Sequence, residues 1–293
     1  MSPTLRLRVP WERHAPPPRA ETAPGLRAVR AGRTVAGAGD ARLGEIDAVL
    51  VSHMHGDHVG DRHIAGVNQG TCSAPEFPEV DAPAGNSVKI AVAKGAKMVT
   101  GSEMASFFAG KLKGEGGDPK ASILVRFGAS KMVGGVKITT VPAAHSNGVH
   151  PAFIGGDLGA MMKEAGLTGY AGPPTGYVVT FTNGLVAYLS GDTGVTAEQD
   201  TVVRGLYGAE LAVINIGDTF TTGPAEAAHV MNELVKPKSV IPSHANEPAT
   251  AGGKVVAGTR TAAFLAAISM PGHVPLSGKT MAFDGGGVCV EGC

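Results

Sequence analysis

The sequence has no apolar run approaching the roughly 18 residues that a membrane-crossing helix needs, and it has only three cysteines in 293 residues. The first lack excludes a helical membrane span, and the second excludes a disulfide framework. Cys72, Cys289 and Cys293 form no C-x-x-C pair. Reduced thiols are therefore expected, with a bridge involving the last two as the alternative in an oxidising compartment. Aromatic residues make up 5% of the chain, with a single Trp. Net charge is also missing: 25 Lys and Arg balance 25 Asp and Glu, so no global field steers nucleic acid or an anionic membrane toward the protein. What is present is 43% hydrophobic content over a length that can bury a sizeable core, which indicates a globular protein.

The neutral total hides a division. Residues 1–44 carry eight Arg, no Lys and three acids (Glu12, Glu21, Asp40), a balance of +5, and the remainder balances at −5. With Pro16, Pro17 and Pro18 and little apolar periodicity, this stretch is expected to be an atypical, unpacked leader without a packed strand. Leu5–Val9 is too short and too charged for a secretory signal, and Glu12 and Glu21 do not suit a transit peptide, so a cytoplasmic location is the default. Residues 45–293 are expected to form one domain.

From Gly44 onward, short apolar runs alternate with helical stretches, the pattern of layered α and β structure. Strands are predicted at Ile46–Val51, Lys97–Thr100, Ile123–Phe127, Val136–Val141, Tyr177–Phe181, Leu185–Leu189, Leu211–Ile214 and Ser239–Ile241. The Asn183-Gly184 dipeptide predicts a hairpin between the fifth and sixth of these. Helices are predicted at Ser102–Leu112, Thr196–Leu206, Pro224–Leu234 and Thr261–Ile268, and 66–87 and 147–176 are read as long loops.

One motif carries chemistry. The first confident strand runs into His53-Met54-His55-Gly56-Asp57-His58, four potential metal ligands in six residues. For this composition, H-x-H-x-D-H arises by accident on the order of once in a thousand such sequences. A strand followed by a turn can aim His53 and His55 one way and Asp57 and His58 another, so that one loop feeds two metal ions. Further donors follow later strands: His145 after Val136–Val141, Asp192 after Leu185–Leu189 and His244 after Ser239–Ile241. All seven converge if those strands end on one sheet edge. Asp218 is placed either to accept a hydrogen bond from a ligand histidine or to serve a turn. Ser146, Asn147 and His150, close to His145, are candidate substrate contacts. His229 is read as an ordinary helix residue and Met54 as core filler.

The ligand series His53, His55, Asp57, His58, His145, Asp192 and His244 resembles that of the metallo-β-lactamase-fold hydrolase superfamily. Gly191-Asp192-Thr193, the stretch from Asn215 to Pro224 and the stretch from Lys236 to His244 are similar to the branch containing L-ascorbate-6-phosphate lactonase and related uncharacterised metal-dependent hydrolases. The resemblance covers about residues 45–245. It implies an α/β fold, a four-layer αββα sandwich, with His53, His55 and His145 on one metal, Asp57, His58 and His244 on a second, and Asp192 bridging. It further implies a hydrolase that uses a bridging hydroxide on a small-molecule lactone, ester or amide, with Asp57 and Asp192 in catalytic roles. The cofactors would be two divalent ions, zinc first and Mn²⁺ or Fe²⁺ as alternatives. Phosphodiester or β-lactam hydrolysis is the competing reading. Only four Arg follow residue 44, which disfavours a nucleic-acid partner; no membrane partner is expected, and self-association is left open. Residues 1–44 lack the Gly-His hairpin and Leu/Ile-Asp-Pro segment that open proteins of this branch. The initial strands are thus expected to be atypical or missing, as a misassigned start or shifted reading frame would make them.

Overall fold

The computed structural model describes residues 5–8, 44–59, 86–101, 103–276 and 279–293. In chain order the elements are β1 (Leu5–Arg8), β2 (Ala48–Val51), α1 (Gly56–Val59), α2 (Asn86–Lys94), β3 (Lys97–Thr100), α3 (Met104–Gly114), β4 (Ser122–Leu124), β5 (Ser130–Val133), β6 (Val136–Pro142), β7 (Gly148–Val149), α4 (Pro151–Ile154) and α5 (Gly156–Glu164). There follow β8 (Gly169–Tyr170), β9 (Thr175–Thr180), β10 (Val186–Leu189), β11 (Leu211–Asn215), α6 (Pro224–His229), β12 (Ser239–Ser243), β13 (Thr250–Ala251), β14 (Lys254–Val255), α7 (Arg260–Ala267), β15 (Thr280–Phe283) and β16 (Cys289–Glu291).

A six-stranded sheet, ordered β12-β11-β10-β9-β6-β5, faces two three-stranded pieces, β2-β3-β4 and β1-β15-β16. Its strands alternate strictly between two faces, as a period-two element buried on both sides must. Ile138, Tyr177 and Val179 point into a core shared with Ala48, Val99 and Leu50 of the β2-β3-β4 piece. Leu211 and Ile241 meet Met281 and Phe283 of β15. The intervening residues Val178, Tyr188, Ala212, Ile214 and Val240 pack on the opposite side against Ala227, Ala228, Met231 and Phe264 from α6, its continuation and α7. A further core, with Val49, Val51 and Met98 against Ile90, Phe108 and Leu112, seats α2 and α3 on the outer face of the smaller piece. The layers are helix, sheet, sheet, helix, as expected.

Strand direction positions the site. β10, β11 and β12 are parallel neighbours, while β6 and β10 both run antiparallel to β9. Hence β6, β10, β11 and β12 all end on one edge, where β9 begins. The smaller piece is brought to that edge by Tyr177, whose hydroxyl lies 2.7 Å from Val51 O and 3.0 Å from Val99 O, and by the Thr175 N–H bond to Ser52 O at 2.9 Å.

The eight strands read from sequence are present with boundaries displaced by one to three residues at most, and β3 spans the residues expected. The helix at Pro224 is capped at Gly223 with Pro224 in its first turn, and it continues, π-wound, through Val230–Val235 to a left-handed Lys236. Several expectations are corrected. The segment 147–176 is not a loop, for it contains α4 and α5: His150 Nδ1 accepts from Ala152 N at 3.2 Å as an N-cap, and Pro151 supplies the preset φ of a first helical turn. Of the segment 66–87, all but Asn86 and Ser87 lie outside the described residues, and these two open α2. Within 1–44, Leu5–Arg8 is a strand after all, pairing antiparallel with Thr280–Phe283. Its Leu-Arg-Leu-Arg alternation is the strand period, masked by the arginine content. Cys289 and Cys293 form a disulfide, with Cα atoms 6.4 Å apart, in place of the reduced thiols expected. A return of the backbone after β16 brings them together. Cys72 lies outside the described residues. Among the described residues no helix is long and apolar enough to cross a membrane.

Tyr177→Phe removes the hydroxyl that ties β2 and β3 to the larger sheet and leaves buried carbonyls short of a donor. It is expected to cost about 1–2 kcal/mol, seen in chemical denaturation as a lower midpoint with an unchanged slope.

Candidate metal centre

β2 ends at Val51, and the backbone then turns into α1, with His58 N and Val59 N both bonded to His55 O, at 3.0 and 3.1 Å. This turn puts His53 and His55 before the helix and Asp57 and His58 within it. Met54, between the ligands, is buried, and its N–H donates to Asn147 Oδ1 at 2.8 Å. Ser52 Oγ lies 3.0 Å from His53 Nδ1, which leaves His53 Nε2 aimed at the site. Gly191, at φ +59°, lets the turn after β10 press on Ser52: a Cβ there would stand 2.7 Å from Ser52 Cβ.

The seven expected donors converge as two groups. His53, His55 and His145 form one, and Asp57, His58, Asp192 and His244 the other, with the ligand atoms inside each group within 4.8 Å of one another. In the first, His53 Nε2 is 3.1 Å and His145 Nε2 3.4 Å from His55 Nδ1. In the second, Asp57 Oδ2 is 3.2 Å from His58 Nε2 and 3.1 Å from His244 Nε2. Asp192 Oδ2 lies 3.1 Å from both His58 Nε2 and His244 Nε2, and 3.9 Å from His53 Nε2 and from His145 Nε2. Donors about 2.0–2.1 Å from a common tetrahedral centre stand about 3.3 Å apart, so these spacings suit a small divalent cation. The donor chemistry agrees. Asp192 is 3% exposed and its Oδ1 is buried without a hydrogen-bond partner among the described residues, an acceptor that a cation would satisfy. His53 is fully buried whereas Asp57 is 30% exposed, so the centre opens on the Asp57 side.

Electrostatics sort the two groups. Burial, reinforced by neighbouring imidazoles, lowers the pKa of His53, His55 and His145, and keeps them neutral and able to ligate. Burial would lower His58 too, but the adjacent Asp192 and Asp57 carboxylates outweigh it and raise His58 to about 10. In return, and against their own burial, His58 and His244 hold Asp57 and Asp192 well below the usual carboxylate range.

The remaining candidates fall into place around this centre. Ser146 Oγ lies 3.3 Å from His55 Nε2, at the exposed rim. Asn147 is 6% exposed, and its amide joins Met54 N to Ala171 O, the latter at 3.1 Å, which braces the turn carrying His53 and His55. His150 caps α4. Asp218 is exposed, and its Oδ1 accepts from Thr219 N at 3.0 Å in a turn where both residues have positive φ, the turn role rather than that of an acceptor for a ligand histidine. His244 itself sits at φ +53°, a strained conformation for a non-glycine residue held by the surrounding structure. Sequence reading missed Asn215. This buried amide at the end of β11 accepts from Thr193 N at 3.1 Å and donates to Thr193 O at 3.0 Å and Thr222 Oγ1 at 2.7 Å, gripping the turn that carries Asp192. Thr193 Oγ1 then accepts from Ala144 N, beside His145, at 2.9 Å. The signal is a polar residue closing an apolar strand.

A model of the β-lactamase superfamily domain matches residues 20–245 of the chain. A metal-dependent hydrolase of the UPF0173 group from Thermococcus onnurineus is 32% identical over 203 residues, 69% of this chain and 68% of the relative. One of the same group from Rubrobacter xylanophilus is 29% identical over 203 residues, 69% of this chain and 65% of its own length. A third, from Cupriavidus necator, is 29% identical over 205 residues, and the chain spans 58% of that relative. Among solved structures, Igni18, a metallo hydrolase from Ignicoccus hospitalis, superimposes with a TM-score of 0.53 at 22% identity over 82% of this chain and 80% of its own, a likeness of fold.

Two outcomes follow from this geometry. His58, protonated in the metal-free centre up to about pH 10, must lose its proton to ligate. Zinc binding at pH 8 is thus expected to release about one proton per chain from this group, measured by calorimetry in buffers of differing ionisation enthalpy; a buffer-independent enthalpy would contradict it. Asn215→Ala, which frees the Asp192 turn without touching a donor, is expected to weaken metal affinity about 10–100-fold in a competition assay, with the fold retained by circular dichroism.

Proposed function

The chain belongs to the β-lactamase superfamily, and from that membership we propose that it is a metal-dependent hydrolase of small molecules. Two divalent cations, zinc in the first instance, are held by His53, His55 and His145 and by Asp57, His58 and His244, with Asp192 shared between them. One observation carries this reading: Asp192 Oδ2 is within 3.9 Å of an imidazole nitrogen of both groups. When bound, such cations supply Lewis acidity and lower the pKa of water so that a nucleophile is available at neutral pH.

The side chains contribute position and charge. The neutral imidazoles of His53, His55 and His145 ligate without adding negative charge, and two carboxylates against two dications leave the centre positive, which favours a substrate oxygen gaining negative charge. Asp57, the most exposed of its group, faces the opening and can orient water and carry a proton toward a leaving group through its carboxylate. Ser146 Oγ at the rim can accept or donate a hydrogen bond to substrate. A carbonyl substrate (lactone, ester or amide) suits this centre. The −5 balance and four Arg of residues 45–293 give nucleic acid no basic track to follow. Phosphodiester and β-lactam cleavage on the same centre are the competing outcomes.

The test is a panel of lactone, ester, β-lactam and phosphodiester substrates given to the metal-loaded chain. Hydrolysis of a carbonyl substrate is expected, abolished by chelation and reduced at least about a hundredfold in Asp192→Ala. Turnover of phosphodiesters alone would establish the competing reading, and an Asp192→Ala variant of full activity would overturn both.

A further inference from the structure

A second cluster of metal-binding side chains takes no part in the hydrolysis proposed above. A ring nitrogen of His273 and the sulfurs of Cys289 and Cys293 all lie within 4.8 Å of one another. The cluster is removed from the histidine and aspartate centre. His273 N bonds to Val240 O at 2.8 Å, and Val240 precedes the ligand His244 by four residues, about 13 Å along an extended strand.

Each member is held there for a reason. The His273 backbone is pinned to β12 by that bond and by the bridge between Gly272 and Val240, and its ring stands edge-on to Phe283 with centroids 5.6 Å apart. Its Nε2 is buried with no hydrogen-bond partner among the described residues. An imidazole nitrogen in that state calls for a ligand, since burial without one has a cost. Burial also lowers the His273 pKa, so the ring is neutral and its lone pair free to coordinate. Cys289 is half-buried against the apolar cluster of Leu185, Ile241 and Phe283. Cys293 is returned toward it by Gly292 at φ +76°, where a Cβ would collide with Thr280 O; only glycine permits the return.

We propose that Cys289 and Cys293, when reduced, form with His273 a binding site for a thiophilic divalent cation such as Zn²⁺, and that the disulfide is the competing, metal-free state of the same residues. Two thiolates and an imidazole are a borderline-soft donor set that prefers Zn²⁺ or Co²⁺ to Mg²⁺ or Ca²⁺, and three protein ligands leave a fourth tetrahedral position for water. The chemistry balances without redox change at the metal. A dithiol gives the S–S bond two electrons and two protons and becomes a cyclic disulfide, or a phosphine does so with one water and becomes its oxide, leaving two thiols in either case; the cation then displaces the two thiol protons to solvent as two S–metal bonds form. The bound cation would couple β16 to β12 through His273, so that the local thiol redox state sets whether that tie is a metal or a disulfide.

Cobalt titration of the full chain, reduced with a phosphine, tests this without reference to hydrolysis. A thiolate-to-cobalt charge-transfer absorption in the near ultraviolet is expected. The seven-ligand centre has no sulfur and cannot produce it. The absorption should persist in Cys72→Ser, vanish in Cys289→Ser/Cys293→Ser and in the oxidised protein, and require higher cobalt concentrations in His273→Ala. Absence of the band from the reduced protein, or its retention in the double serine variant, would overturn the site. An unchanged cobalt affinity in His273→Ala would remove the imidazole from it.

Discussion

Asp192 places a carboxylate, 3% exposed, within 4 Å of four imidazoles, and one of its two oxygens has no partner among the described residues. Removing a carboxylate from water is costly unless positive charge faces it. In the metal-free chain His58 supplies that charge by keeping its proton. The rest of the architecture serves this one group: Gly191 lets its turn lie against Ser52, Asn215 grips it from β11, and Thr193 links it to the backbone before His145. A sheet whose β6, β10, β11 and β12 end on one edge is the simplest scaffold that can surround a single carboxylate with donors so distant in sequence.

The clustering of the seven candidate donors is legible because they are local or follow strands. H-x-H-x-D-H is written in six consecutive residues, and His145, Asp192 and His244 each stand just beyond a run of Val, Ile and Leu whose period-two pattern is plain. What braces them was not legible. The neighbourhood of His145 marks Asn147 as a site residue, but its amide spans to Met54 and Ala171, contacts no local pattern encodes. Asn215 stands beside the more conspicuous Asp218, and nothing local in the sequence marks it as a buried amide that grips a neighbouring turn. α4 and α5 were hidden by Pro and Gly that mark helix starts as well as loops, and β1 by arginines on alternate positions. The pairing of Cys289 with Cys293 depends on the positive φ of Gly292, which spacing alone does not reveal.

Strain and chemistry coincide at the edge. His244, Asn246, Asp218 and Thr219 all adopt positive φ without being glycine, and all lie on the loops that follow β11 and β12. Such conformations persist only where the surroundings over-determine them. For His244 the surroundings are two carboxylates, its Nε2 lying 3.1 Å from both Asp57 and Asp192, while Asn246 Nδ2 lies 3.1 Å from its Nδ1. The hard and imidazole donors of this edge and the sulfur donors near β16 differ in kind, so cations of different softness would sort between them.

The shared carboxylate can be examined directly by electron paramagnetic resonance of the chain saturated with Mn²⁺, an ion that oxygen and imidazole donors accept and thiolates do not favour. Two ions joined through Asp192 are expected to give an exchange-coupled spectrum, and Asp192→Ala is expected to abolish the coupling. A spectrum of isolated, uncoupled Mn²⁺ at saturation in the unaltered chain would contradict a centre built around that one group.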